Sequence, residues 1–218
     1  MSSVLQHLSE ALPRGNVAET TALVHQALGD GLSAETVLSQ GLIAGMDAVG
    51  KRFQTGEIYI PHMLLAARAM NAAIDILKPK LVESGAKPAG RIVLGTVKGD
   101  HHDIGKNLVR IMLEGSGFSV TDLGINVDPE TFVAAITEEI HIVAMSALLS
   151  TTAPFIRETI QALEAAGLRR RVKIIIGGGV VTQEMADAFG ADAYGADAAS
   201  GAVKAVALMA AWNGGDIL

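Results

Sequence analysis

From residue 91 onward, short aliphatic runs alternate with stretches of helical periodicity, five times over. The runs are Arg91–Val97, Phe118–Leu123, Ile142–Ser146, Val172–Ile176 and Ala191–Tyr194. Apolar residues recur at helical spacing near 104–115, 129–139, 153–166, 182–189 and 197–212. Strands that are apolar along nearly their whole length are buried on both faces, which is the condition of parallel sheets covered by crossover helices. The pattern predicts an α/β domain of flavodoxin/Rossmann-like kind, with a five-stranded parallel sheet in the order 2-1-3-4-5. In that order the switch point, where open sheets bind their ligands, lies at the carboxyl ends of strands 1 and 3.

The first part of the chain has a different periodicity. Leu5, Leu8 and Leu12 form a stripe before Pro13-Arg14-Gly15, and Asn16 can cap a second helix carrying Val17, Val24 and Leu28. Ser33 with Thr36 and Val37 opens a third, along which Leu38, Leu42, Met46 and Val49 recur. Pro61 suits the first turn of a fourth, lined by Ile60, Met63, Leu64, Ala67, Met70, Ile74 and Leu77. Pro79 is expected to end or kink that helix. The reading is an N-terminal four-helix bundle over 1–83, a linker over 84–90 (Ser-Gly-Ala-Lys-Pro-Ala-Gly) and the α/β domain over 91–218.

Composition removes several functions. The net charge is −6 with no basic stripe, so no nucleic-acid partner is expected. The absence of cysteine excludes disulfides, thiolate nucleophiles and cysteine-ligated metals. No signal pattern opens the chain and no apolar run is long enough to span a bilayer, so a cytoplasmic location away from membranes is expected.

Ionisable groups gather on the turn after the first strand, Asp100-His101-His102-Asp103-Ile104-Gly105. A histidine with a carboxylate two residues away suits a metal ligand whose second nitrogen is held by that carboxylate. Polar residues crowd strand ends in any α/β protein, however, and His-His-Asp is also compatible with a divalent-metal hydrolase, although outlying ligands for such a site are missing. Ser146, Ser150, Thr151 and Thr152 follow the third strand, where hydroxyls can donate to a ligand or a carboxylate, or cap the next helix. Gly177-Gly178-Gly179 after the fourth strand permits close backbone approach or a sharp turn, and is not the fingerprint of a nicotinamide site.

Together these pieces resemble the corrinoid proteins of the methanol, methylamine and methoxyaryl methyltransferase systems, and are similar to the cobalamin module of methionine synthase. The resemblance rests on Asp100-x-His102-x-x-Gly105 within Val97–Asn107, on Ser146 with Ser150, and on Gly177-Gly178. It extends to Gly41–Lys51, Phe53, Ile60-Pro61 and Ala66–Met70. It implies a corrinoid methyl carrier, part of one-carbon metabolism, that binds cobalamin as methylcobalamin, cob(I)alamin or a related corrinoid. The implied roles are His102 as lower axial ligand to cobalt, Asp100 on its other nitrogen, and a hydroxyl near strand 3 extending the relay. The loop residues His101, Asp103, Ile104 and Gly105, with Leu148 and Thr151, would border the cofactor. Its nucleotide tail would pass Ser146, Ser150, Gly177, Gly178, Gly179, Tyr194 and Gly195, and Phe53, Ile60 and Leu64 would shield the methyl group. The implied partners are a substrate-specific methyltransferase, an acceptor methyltransferase using tetrahydrofolate or a thiol, and a reductive activase. The alternative is a cobalamin-dependent regulator or sensor. Position 101, often apolar in the family, is histidine here, and alternation along an extended stretch favours His102 as the ligand.

Overall fold

The structure, a computed structural model, describes residues 3–85 and 87–212. Met1, Ser2, Ala86 of the expected linker and the final residues 213–218 lie outside the described residues. The chain divides into two compact units, Met1–Pro88 with Gly115–Gly117, and Ala89–Glu114 with Phe118–Leu218.

The first unit is helical. The helix α1 (Ser3–Ala11) ends in a tight turn, Leu12–Arg14, and Asn16 then caps α2 (Val17–Gly29) by accepting the Glu19 N–H at 3.1 Å. Ser33 caps α3 (Ala34–Thr36), which runs on without a break through a π-helical stretch, Val37–Ile43, into α4 (Ala44–Gln54). The wider turn was not anticipated. It rephases the apolar stripe, so that Val37, Leu42, Met46 and Val49 are all buried despite their uneven spacing. The last helix, α5 (Ile60–Glu83), passes through Pro79 instead of ending there. A proline this near the C-terminus removes only one backbone hydrogen bond, so the end of the helix survives. Its inward face is Met63, Ala66, Met70, Ala73 and Leu77, whereas Ile60 and Leu64 are exposed.

The second unit is the parallel sheet. Its strands are β1 (Arg91–Thr96), β2 (Ser119–Asp122), β3 (Ile142–Ser146), β4 (Lys173–Gly177) and β5 (Ala193–Gly195), in the order 2-1-3-4-5. The intervening and final helices are α6 (Ile104–Gly115), α7 (Pro129–Ala134), α8 (Pro154–Ala165), α9 (Gln183–Phe189) and α10 (Ala198–Ala210). The helix α7 stops five residues before the expected 139, with Glu138 and Glu139 beyond its end. Two carboxylates oppose the negative end of a helix dipole, and the chain turns before including them.

Register matters more for function than the order does. Thr96 pairs with Ser146, Ser146 with Gly177, and Gly177 with Gly195. Four small residues thus form one row across the carboxyl edge of β1, β3, β4 and β5. Just below it, Gly95 leaves room for the fully buried Phe132 ring, since a Cβ at 95 would stand 2.8 Å from Phe132 Cζ. Gly95→Ala is therefore expected to lower stability by about 1–3 kcal/mol through overpacking, read as a lower denaturant midpoint at unchanged slope.

Candidate functional site

The turn between β1 and α6 carries a carboxylate with no solvent exposure. Asp100 is fully buried, and both of its oxygens are engaged. Oδ1 accepts the His102 backbone N–H at 3.1 Å and lies 2.7 Å from His102 Nδ1. Oδ2 accepts the Leu148 N–H at 2.7 Å, the Thr152 hydroxyl at 2.7 Å and, more weakly, the Leu149 N–H at 3.4 Å. These donors come from the segment after β3, which the sheet order places beside β1. Burial alone pushes the Asp100 carboxyl up. The Thr152 hydroxyl, the Leu148 N–H and the two groups of His102 outweigh it and hold the acid well below the usual carboxylate range.

That ionisation fixes the imidazole. An ionised carboxylate only accepts, so Nδ1 of His102 carries a proton and donates it, which makes Nε2 the nitrogen available to a ligand. The side chain is 51% exposed, and Nε2 has no hydrogen-bond partner among the described residues. His102 is thus held from behind through Nδ1, with Nε2 open in front.

The remaining expected residues divide clearly. Asp103 sits at the start of α6, where its carbonyl accepts the Asn107 N–H at 2.8 Å and its carboxylate the Asn107 side-chain amide at 3.2 Å. His101 is exposed and makes no hydrogen bond to a described residue. Ile104, Leu148 and Leu149 are large apolar side chains left exposed on the same loops, and Gly105 has open space where a Cβ would stand. Ser150 and Thr151 are exposed and do not reach Asp100. The hydroxyl that does is Thr152, which also donates to the Leu149 carbonyl at 3.0 Å. Of the four hydroxyls that could donate to the carboxylate or cap the next helix, Thr152 is the one that reaches it.

Ser146 is half-buried, with its carbonyl accepting the Val97 N–H. Gly177 and Gly178 are required by the fold itself. A Cβ on Gly177 would lie 2.7 Å from the Gly195 carbonyl oxygen, and one on Gly178, at φ +120°, would run into the Ala147 carbonyl. Gly179 abuts Leu148, and Tyr194 is half-buried in the middle of β5. Phe53 is half-buried in the helical unit, with Ile60 and Leu64 exposed there.

Among the described residues, no three His, Cys, Asp or Glu side chains gather to hold a metal ion. A metal carried in a macrocycle needs only one such donor from the protein. The oriented imidazole, the exposed aliphatic rim and the open space over Gly105 fit a broad apolar ring of that kind.

Because Asp100 is depressed in the folded state, its contribution to stability is complete above about pH 4 and is lost as pH falls through its folded value. Thr152→Val removes one donor to this charge and is expected to cost about 1.5–3 kcal/mol. It also moves the acid loss of stability to higher pH, whereas Thr152→Ser keeps both near wild type in a denaturant titration repeated across acid pH.

Family models named B12 binding domain match residues 90–207 and, for a second such domain, 4–78. The chain is 40% identical over 209 residues to dimethylamine corrinoid protein 1 of Methanosarcina acetivorans, covering 95% of this chain and 98% of that one. It is 43% identical over 169 residues to trimethylamine corrinoid protein 1 of Methanosarcina mazei, covering 76% and 78%. Its structure resembles a chain of the methanol:cobalamin methyltransferase complex of Methanosarcina barkeri, with TM-score 0.83, 29% identity and coverage of 96% and 80%. A buried Asp100 bonded to a half-exposed His102 at the switch point of a 2-1-3-4-5 sheet and these likenesses lead to one family: the chain belongs to the B12-binding corrinoid proteins.

Proposed function

We propose that this protein is a corrinoid methyl carrier serving a methylamine-dependent methyltransferase system. The observation that carries the reading is His102, a half-exposed imidazole locked by a buried carboxylate into the tautomer that offers Nε2. When bound, cobalamin supplies a cobalt centre able to accept and release a methyl group. His102 would be the protein's ligand to that cobalt. Asp100 keeps the proton on Nδ1, and Thr152 with the Leu148 N–H keeps Asp100 ionised.

Ile104 and Leu148 would lie against the ring, with His101 and Asp103 at its margin. Ser146, Ser150, Thr151, Gly177, Gly178, Gly179, Tyr194 and Gly195 would border the nucleotide tail. Phe53, Ile60 and Leu64 are proposed as the apolar screen for the methyl group. The exposure of Ile60 and Leu64, at 39% and 49%, supports a role outside the core of the helical unit. Such a screen excludes water and stray nucleophiles from a reactive carbon.

The similarity to chains named for dimethylamine and trimethylamine supports an amine-specific methyltransferase as donor partner. A methyltransferase acting on a thiol or tetrahydrofolate would take the methyl group, and a reductive activase would restore oxidised cofactor. Among the described residues no helix is long and apolar enough to cross a membrane.

The test is reconstitution with hydroxocobalamin, followed by reduction and methylation with purified trimethylamine, dimethylamine, monomethylamine and methanol methyltransferases in parallel. Stoichiometric corrinoid retention, with methylation by one amine enzyme, is expected. Retention without methylation by any of the four would overturn the carrier reading. Gly105→Val is expected to leave the thermal midpoint unchanged, because a side chain there meets open space, and to abolish corrinoid retention. Undiminished retention would place the ring elsewhere.

A further inference from the structure

The histidine loop is also held by the segment after β2, which contributes none of the residues assigned above. Asn126 stands at its centre. Its backbone has φ +51°, and among the described residues it is the only non-glycine with positive φ. Such a conformation costs energy outside glycine, and asparagine is among the few residues that adopt it readily. The side-chain oxygen of Asn126 accepts the Gly99 N–H at 2.7 Å, while its own N–H donates to the Asp100 carbonyl at 2.9 Å. It therefore holds Gly99 through its side chain and the backbone carbonyl of Asp100 through its own N–H.

The grip is anchored on both sides. The Thr96 N–H donates to Gly124 O, and the Val127 N–H to Thr96 O, both at 3.0 Å. Thr96, fully buried, in turn donates its hydroxyl to the His102 carbonyl at 3.0 Å. Asp122 takes the Gly124 N–H at 2.9 Å and holds the buried ammonium of Lys106 on α6. The segment 122–127 is thus tied to β1, to the histidine loop and to the helix that follows it.

We propose that Asn126 is a positioning residue for the Asp100–His102 pair, setting the backbone of the loop so that the carboxylate meets the ring and its donors together. The proposal deepens the reading of His102 as the cobalt ligand and, for its effect on cobalt, rests on it. Asn126 touches no reacting atom. It acts through residues 99 and 100.

Two variants separate the side-chain contact from the backbone conformation. Asn126→Gly accommodates the positive φ and removes the acceptor for Gly99, whereas Asn126→Asp keeps the acceptor. In the apo protein, hydrogen exchange at the His102 and Leu148 amides, both donors to Asp100, is expected to rise about fivefold in Asn126→Gly, the worth of one ordinary net hydrogen bond. The amides of Ile142–Ser146 should exchange as in wild type, and Asn126→Asp should restore His102 and Leu148. After loading with cob(II)alamin, Asn126→Gly should show a smaller histidine-coordinated fraction by EPR, with Asn126→Asp again restoring it. Unchanged exchange at His102 and Leu148 overturns the proposal, as does a rise of equal size throughout the sheet. If wild type itself shows no histidine nitrogen on cobalt, the ligand reading fails, and the apo exchange still decides the role of Asn126.

Discussion

The site depends on a charge kept out of water. A buried carboxylate is costly unless every lone pair is met, and Asp100 is met by a ring nitrogen, a hydroxyl and backbone N–H groups from two loops. Because those donors come from the β1–α6 turn and from the segment after β3, the charge can be satisfied only when β1 and β3 are adjacent and in register. The strand order is therefore a condition of the chemistry. It makes His102 a donor of defined tautomer while leaving its outer nitrogen free.

The sheet supplies the second condition, an edge built from small residues. Thr96, Ser146, Gly177 and Gly195 align across four strands, and the glycines let neighbouring backbones approach more closely than any side chain would permit. The loops that rise from this row carry exposed Ile104, Leu148 and Leu149. Large aliphatic groups held in solvent around an oriented imidazole are costly for an isolated domain, and they suit a surface that an apolar ring covers.

The two-part helical and sheet pattern was legible from periodicity because each strand is apolar along its length and each helix keeps one face. The strand order followed from the number of βα units. Less was legible where the deciding force was not local. The π-helical stretch at Val37–Ile43 has no local sequence signature, and Pro79 is tolerated because of where the helix ends. At the site, the motif around Asp100 and His102 was visible because both residues sit on one short turn. Thr152 stood among four hydroxyls able to donate to a carboxylate or cap a helix, and which of them reaches Asp100 was not legible because that bond spans 52 positions. Asn126 and Thr96 left no chemical signature at all, because what they hold is backbone.

The most direct measurement is the EPR spectrum of the protein loaded with cob(II)alamin, beside His102→Ala and His101→Ala. The account predicts splitting from one protein nitrogen in wild type and in His101→Ala, and its loss in His102→Ala alone. Splitting that survives His102→Ala, or that vanishes with His101→Ala instead, would contradict it.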